Sequence, residues 1–336
     1  MNLPGNLQSI AGNDQLIRLL RRGRLPQSSL FTGPDGVGKK TVALLLAALA
    51  NCKSPTGDDL CGVCGSCIKA AAGNHPDIQL FQTEQQKISI DSMRRLSREA
   101  QFRPFEGELR FFVIDQAEKM SEEAANSILK TLEEPPETTR IVLVSAYPQR
   151  LLSTILSRCQ TFPFSGLSQD DIVSYLSENT DLEKIALRAS FSEGSLGTAM
   201  EIDIEATVEQ RNLMLEFLDG WSQRQGFESV FQLCESRPLN ADLKKRDKVR
   251  RYLELLQCLS YDIYFLLIGA SQRVVNVDCI ERLHKLSQSV SVEQIRDLLY
   301  HIAESQRDVD RYVNPLMCFE TLWLGLAEDG KEECLR

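Results

Sequence analysis

Three groups of residues in this chain have types and spacings that can do chemistry. The first is Gly33-Pro34-Asp35-Gly36-Val37-Gly38-Lys39-Lys40-Thr41, a glycine-rich turn between the apolar run Leu30-Phe31-Thr32 and a second one from Val42. Gly33 and Gly38 have the G-x-x-x-x-G-K spacing of a phosphate loop. That spacing lets backbone N–H groups at a helix start cradle phosphate oxygens while Lys39 reaches the terminal phosphates. The next position should carry the Ser or Thr hydroxyl that holds magnesium, and it is Lys40. Thr41 has a hydroxyl, but it lies about 100° further round the helix. The residues leave two readings open: an eroded phosphate loop, with or without nucleotide, and a glycine-rich turn with no ligand.

The second group is Asp115-Gln116, at the end of the apolar run Phe111-Phe112-Val113-Ile114. A carboxylate at the end of a buried strand is where a phosphate-loop ATPase keeps an acid for magnesium. A hydrolysing enzyme would place Glu next, to orient the attacking water, whereas the Gln116 amide cannot take a proton. Glu118 would face elsewhere if the strand continued. Lys40 and Gln116 therefore both predict weak or absent hydrolysis. The third group is Cys52, Cys61, Cys64 and Cys67, spaced C-x8-C-x2-C-x2-C. Tetrahedral zinc takes four sulfurs at about 2.3 Å, and two-residue gaps let a tight turn aim successive thiolates at one ion. An iron–sulfur run would need a further Cys followed by Pro shortly after Cys67, and none is there. With all four positions filled by protein, such an ion is structural; the competing reading is four reduced, unligated thiols. Cys234, Cys258, Cys279 and Cys318 lie scattered in apolar helical segments and read as core residues.

The elements that must position these groups follow from hydropathy. Up to about Phe164, strand-like runs alternate with helical ones. Asp77–Phe81, Arg110–Asp115 and Ile141–Ser145 read as strands. Leu16–Arg24, Thr41 to about Asn51, Ile90–Ala100 and the segment capped by Ser121 read as helices. That alternation predicts a mainly parallel sheet with helices on both faces. A Pro-, Gly-, Asp- and Cys-rich insertion from Lys53 to Gly73 interrupts it. Beyond Phe164 the pattern is helical only, with a short unit around Ser192–Gly197 and long amphipathic helices from about Val208 to Leu326. The expected division is therefore 1–165 for the α/β domain with its four-Cys module, 166–207 for a small helical domain and 208–336 for an all-α domain.

A chain of 336 residues, 43% hydrophobic and 25% charged, has the composition of a soluble globular protein of two or three domains. Its start, Met1-Asn2-Leu3-Pro4-Gly5, has no signal-peptide pattern, and no uncharged apolar run approaches the ~18 residues of a membrane span, so the expected location is the cytoplasm and no membrane is a partner. Ten cysteines in that reducing compartment point to metal or core roles rather than disulfides. A net charge of −9 opposes strong nucleic-acid binding by the chain as a whole, although Arg94, Arg95 and Arg98 form a local basic helix face.

Asn126-Ser127-Ile128-Leu129-Lys130-Thr131-Leu132-Glu133-Glu134-Pro135-Pro136, then Pro148-Gln149 and Thr154-Ile155-Leu156-Ser157-Arg158-Cys159, resembles the AAA+ clamp-loader subunits of bacterial DNA polymerase III. The four-cysteine insertion and the late Val313-Asn314-Pro315-Leu316 fit the same family, so the resemblance covers essentially the whole chain. It is closer to the delta-prime members than to the gamma/tau motor. The motor carries an arginine on its lid after Gly-Ser-Leu, and here Gly194-Ser195-Leu196 is followed by Gly197.

The resemblance implies an AAA+ phosphate-loop domain with a zinc-binding insertion, a helical lid domain and an all-α collar that holds the oligomer. It further implies a hetero-pentamer with gamma/tau and delta subunits that loads the sliding clamp onto primed DNA in DNA replication. In it, Arg158, flanked by Ser157 and Cys159, would act in trans as an arginine finger at a neighbour's ATP. The chain's own site would be degenerate, formed by Gly33, Gly36, Gly38, Lys39, Lys40, Thr41 and Asp115. Structural Zn2+ is the implied metal, and ATP or ADP binding is left open. Any DNA-directed DNA polymerase (nucleotidyltransferase) label would belong to the holoenzyme. The alternatives are a gamma/tau-like ATPase motor, opposed by Lys40, Gln116 and Gly197, and a zinc-dependent scaffold binding DNA directly, opposed by the acidic balance.

Overall fold

The structure is a computed structural model that describes residues 7–23, 25–82, 87–180, 183–223 and 246–311, and beyond these 313–315, 317, 318, 320–322 and 325. Met1–Gly5, Arg24, Cys234, Leu316 and Leu326, all used in the sequence reading, lie outside the described residues. The chain divides into two compact units, 1–202 and 203–336. No helix among the described residues is long and apolar enough to cross a membrane.

The first unit is built on five parallel strands, β1 (Ser28–Thr32), β2 (Ile78–Phe81), β3 (Arg110–Ile114), β4 (Thr139–Ser145) and β5 (Gln160–Pro163), in the order β2-β3-β4-β1-β5. All five residues of β1 are buried. Strands covered on both faces read as continuous apolar runs rather than alternating ones, as β3 and β4 do. On one face Phe31, Phe111, Val113, Val142 and Val144 pack with α1 (Asp14–Arg22), α2 (Lys39–Ala50) and α3 (Gly65–Ala71). On the other, Leu30, Phe112, Ile114, Ile141 and Leu143 pack with α4 (Ile90–Glu99), α5 (Glu122–Glu133) and α6 (Ser153–Leu156). Successive strand residues thus feed opposite cores.

Ser121 caps α5 as expected, its hydroxyl accepting from the Ala124 N–H at 3.2 Å. The strand after the insertion begins at Ile78, because Asp77 turns its side chain to the neighbouring loop. β5 was not foreseen: it is an edge strand in which only Phe162 is buried, too short and polar to stand out. α3 forms inside the cysteine-rich insertion, a segment whose composition reads as loop. Next come α7 (Gln169–Asn179), α8 (Ile185–Phe191) and α9 (Leu196–Glu201), packed around Leu167, Ile172, Leu176, Ala189 and Ala199. Ser168 and Asp171 form a full capping box at the start of α7.

The second unit contains α10 (Ile204–Ser222), α11 (Arg246–Leu267), α12 (Ile280–Ser289) and α13 (Val292–Asp310). Its apolar face is fixed by one buried polar knot. Asp262, fully buried, accepts from the Val275 and Asn276 N–H groups at 2.8 and 2.9 Å and from Asn276 Nδ2 at 2.7 Å. Nearby, Arg211 forks onto both oxygens of Asp278 at 2.7 and 2.6 Å. With three donors on its two oxygens, the Asp262 carboxylate can be buried without a large desolvation loss.

Candidate functional site

β1 and β3 flank β4, with Thr32 opposite Ser145 and Ile114 opposite Leu143. The glycine turn and Asp115 therefore emerge from the same edge of the sheet. Gly33, Gly36 and Gly38 have φ of 136, 72 and 90°, values that only glycine adopts at low cost. A Cβ on Gly33 would lie 2.1 Å from the Phe164 carbonyl oxygen, so the loop and the strand-end of β5 need that glycine. Residues Asp35 to Thr41, Asp115, Gln116, Tyr175, Leu196, Gly197, Met200 and Glu201 line a cavity of about 850 Å3, in the range that takes a nucleotide.

Lys39 is buried, and its ammonium turns back into the loop, donating to the Gly33 carbonyl at 2.6 Å and to that of Pro34. Burial pulls its pKa below the usual lysine range, against the opposing pull of Asp35, Glu118 and Asp115. Lys40 reaches across to Asp115, Nζ to Oδ2 at 2.9 Å. The anomalous lysine and the strand-end carboxylate expected to serve magnesium are thus one ion pair. Its ammonium takes the side of the carboxylate that a magnesium ion would need. Placing a divalent cation about 4 Å from that ammonium costs on the order of 8 kcal/mol at an effective dielectric of about 20. The residues present do not fit magnesium.

Glu118 is where the sequence reading fails. It assumed a continuing strand, but β3 stops at Ile114 and Gln116 takes a left-handed conformation, φ 52°. The 3-10 turn Ala117–Lys119 then brings Glu118 back to where its charge acts on Lys39. Its Oε2 is buried and without a hydrogen-bond partner among the described residues. Above the loop, the Gly197 N–H donates to the Gly36 carbonyl at 3.1 Å. A Cβ on Gly197 would lie 3.2 Å from the Gly36 Cα, and one on Gly36 would lie 2.1 Å from Ser195 Oγ. The close backbone approach favours glycine at 197, since a side chain there would press on the Gly36 Cα.

The Cys52, Cys61, Cys64 and Cys67 sulfurs all lie within 4.8 Å of one another, with Cys52–Cys61 at 3.6 Å and Cys61–Cys67 at 4.0 Å. The edge of a tetrahedron with 2.3 Å metal–sulfur bonds is about 3.8 Å, so the four fit one tetrahedral ion. Cys64 is lowered to about 6, chiefly by the Cys67 N–H, and Cys61 is lowered by the Val63 and Cys64 N–H groups, while burial raises Cys67. The module is tied to the sheet through Ser66, whose hydroxyl meets His75 Nε2 at 2.9 Å, while His75 Nδ1 accepts from the Asp77 N–H at 3.1 Å. Asp77, fully buried, accepts from the N–H groups of Phe105, Glu106 and Gly107 at 2.6, 2.9 and 2.9 Å.

Arg158 stands apart from the cavity. Its Nε and Nη2 donate to Glu133 Oε2 at 3.2 and 3.1 Å and its Nη1 to the Thr154 carbonyl at 3.0 Å. Ser157 Oγ donates to the same carbonyl at 3.1 Å. Cys159 is buried against α5 and α6, and burial pushes its thiol up to about 12, so it is an anchor rather than a nucleophile. Arg94, Arg95 and Arg98 are exposed on α4, with Arg95 stacked 5.2 Å over the Phe81 ring.

Two predictions follow from these contacts. Burial alone would raise the Asp77 pKa, but the three N–H donors outweigh it and hold the carboxyl below its ordinary 3.8. A depressed folded value means stability that is present above 3.8 and lost as pH falls through the folded pKa. Asp77→Asn should cost about 3 kcal/mol at neutral pH by urea unfolding, and the gap to wild type should narrow in acid; a pH-independent gap would contradict this. Gly197→Ala should raise hydrogen exchange of the 194–201 segment by about tenfold, equivalent to about 1.4 kcal/mol. Unchanged exchange would mean that the loop gives way without cost.

Comparisons with known proteins bear on the same residues. The family described as "DNA polymerase III, delta subunit" matches residues 11–168, and "DNA polymerase III, delta subunit, C terminal" matches 218–327. DNA polymerase III subunit delta' of Bacillus subtilis is 28% identical over 93% of this chain and 94% of its own length. The delta' subunit of Pseudomonas aeruginosa is 32% identical over 58% of this chain and 61% of its own. The tau subunit of Escherichia coli is 33% identical, but over 60% of this chain and 33% of its own. With both halves matched and a delta' relative aligned nearly end to end, the chain belongs to the delta-prime family of bacterial DNA polymerase III clamp-loader subunits.

Proposed function

We propose that this subunit works in DNA replication as a stator. It holds one end of a clamp-loader ring of gamma/tau and delta subunits and completes a neighbour's ATP site with Arg158, while the ring opens the sliding clamp and places it on primed DNA. In this reading 1–165 is the AAA+ domain, 166–207 the lid and 208–336 the collar, and the assembly acts in the cytoplasm. The observation that supports it is the placement of Arg158. The guanidinium lies outside its own chain's cavity, on a surface turn anchored by Cys159, with the Glu133 carboxylate, the Thr154 carbonyl and the Ser157 hydroxyl as partners. Exchanging Glu133 for phosphate oxygens at an interface needs only a side-chain rotation. A guanidinium supplied in trans stabilises charge on the transferring phosphoryl group.

The chain's own cavity fits the complementary role. Lys40 on Asp115, Gln116 in place of a base and Gly197 in place of the lid arginine remove metal, base and lid cation together. The cysteine module is read as a structural zinc site. Zinc bound there would hold the thiolates and tie Cys52, at the end of α2, to α3; it supplies no catalysis because all four positions are filled.

Two outcomes are expected. Steady-state ATP hydrolysis by the chain alone should be at background, and a mixture with gamma-type partners, clamp and DNA should lose about tenfold or more of its turnover at the completed site with Arg158→Ala. Motor-like hydrolysis by the isolated chain would favour the gamma/tau-like reading instead. Purified chain should carry one equivalent of zinc by atomic emission, and Cys64→Ser should release it with a fall in thermal stability. A metal-free wild-type chain with the same unfolding temperature would refute the zinc assignment.

A further inference from the structure

In a hydrolysing phosphate loop the metal bridges the hydroxyl after the loop lysine, the strand-end carboxylate and the β and γ phosphates. Here the first two of those points are joined directly by the 2.9 Å bond from Lys40 Nζ to Asp115 Oδ2. Both residues line the cavity, and both are partly shielded, with side-chain exposures of 33% and 15%. An ammonium has three N–H donors. One is directed at Asp115, which leaves two for oxygens of a ligand in the cavity. The loop keeps its anion-binding shape through Gly33, Gly36 and Gly38, and the first turn of α2 leaves backbone N–H groups without intrahelical acceptors. The cavity thus offers donors and a fixed monovalent cation, and it excludes a divalent one.

We propose that this cavity binds a nucleoside diphosphate or triphosphate without magnesium, the Lys40 ammonium standing where the metal ion stands in a hydrolysing phosphate loop. The inference rests on the reading of the loop as a nucleotide site. Lys40 then serves as a built-in counter-ion, bridging Asp115 to the phosphates. The metal-complexed nucleotide must shed its ion to enter, so the site selects the free form and favours the diphosphate, which chelates metal less strongly. The bound nucleotide is not turned over, because no metal draws charge from the β–γ bridge and Gln116 accepts no proton. Its effect is to fill the space under the Gly36–Gly197 contact, so that it behaves as part of the fold.

The test is titration calorimetry of the full-length chain with ADP and with ATP, in magnesium and in EDTA, for wild type, Lys40→Thr and Lys40→Met. Wild type is expected to bind ADP at least as tightly in EDTA as in magnesium, where chelation depletes the free nucleotide that the site accepts. Lys40→Thr, which restores a hydroxyl and unpairs Asp115, should bind at least about tenfold more tightly with magnesium than in EDTA, and Lys40→Met should lose affinity in both. A wild-type affinity that falls about tenfold or more in EDTA overturns the inference and leaves the nucleotide site standing. No binding by any variant in either buffer sinks the nucleotide reading itself, and the inference with it. Should Lys40→Thr fail to fold, manganese relaxation on wild type with ADP decides: protein-bound manganese overturns the proposal, and manganese held by free ADP alone supports it.

Discussion

The parallel pairing of β1 and β3 to either side of β4 is the constraint on which the rest of the first unit depends. It is set by continuous apolar strands whose residues fill two cores alternately, so that a slip of one residue would send Leu30 and Phe31, or Phe112 and Val113, each into the core packed for the other. With that register fixed, Gly33 and Asp115 must leave the sheet side by side. The helix that follows the glycine turn then begins with Lys39 and Lys40 within side-chain reach of the carboxylate. No local propensity brings Lys40 to Asp115; strand order does.

The small helical segment after β5 is joined to this edge by backbone rather than by charge. Gly197 donates to Gly36, the Leu167 N–H donates to the Gly194 carbonyl at 2.9 Å, and Asn13 exchanges two hydrogen bonds with Ser165 at 2.8 and 3.0 Å. All of these are bonds between neutral groups, so the contact does not depend on a charge beneath it.

How far the sequence could be read depended on how local each cause was. The strands of the central sheet, the Ser121 cap and the thiolate cluster were legible because each is specified by neighbouring residues: an unbroken apolar run, a hydroxyl before a helical period, a two-residue gap between sulfurs. β5 was not, because an edge strand with one buried residue is made a strand by its partner, β1. Glu118 was misplaced because the end of β3 is set by the left-handed turn at Gln116, which a non-glycine residue does not announce. Lys40 was identified as a departure from a working ATPase and Asp115 as its expected magnesium carboxylate, yet their pairing stayed hidden because it arises only from the order β3-β4-β1.

The pairing also explains why Lys40 and Asp115 occur together. Asp115 is largely buried at the edge of an apolar sheet, and a carboxylate left there without a cation would cost several kcal/mol. An ATPase meets that cost with magnesium. A chain that gives up the metal must either neutralise Asp115 or provide another cation, and Lys40 provides it from the adjacent helix start. Replacing Lys40 alone therefore re-creates the need for a metal, while replacing Asp115 alone leaves an unpaired ammonium beside the buried Lys39. Either step is unfavourable by itself, so the two residues hold each other in place, and the phosphate loop keeps its shape after its catalytic groups are gone. Arg158 is under no such constraint. Its pair with Glu133 lies at the surface, where an ion pair is worth about 1 kcal/mol or less, so parting it costs little.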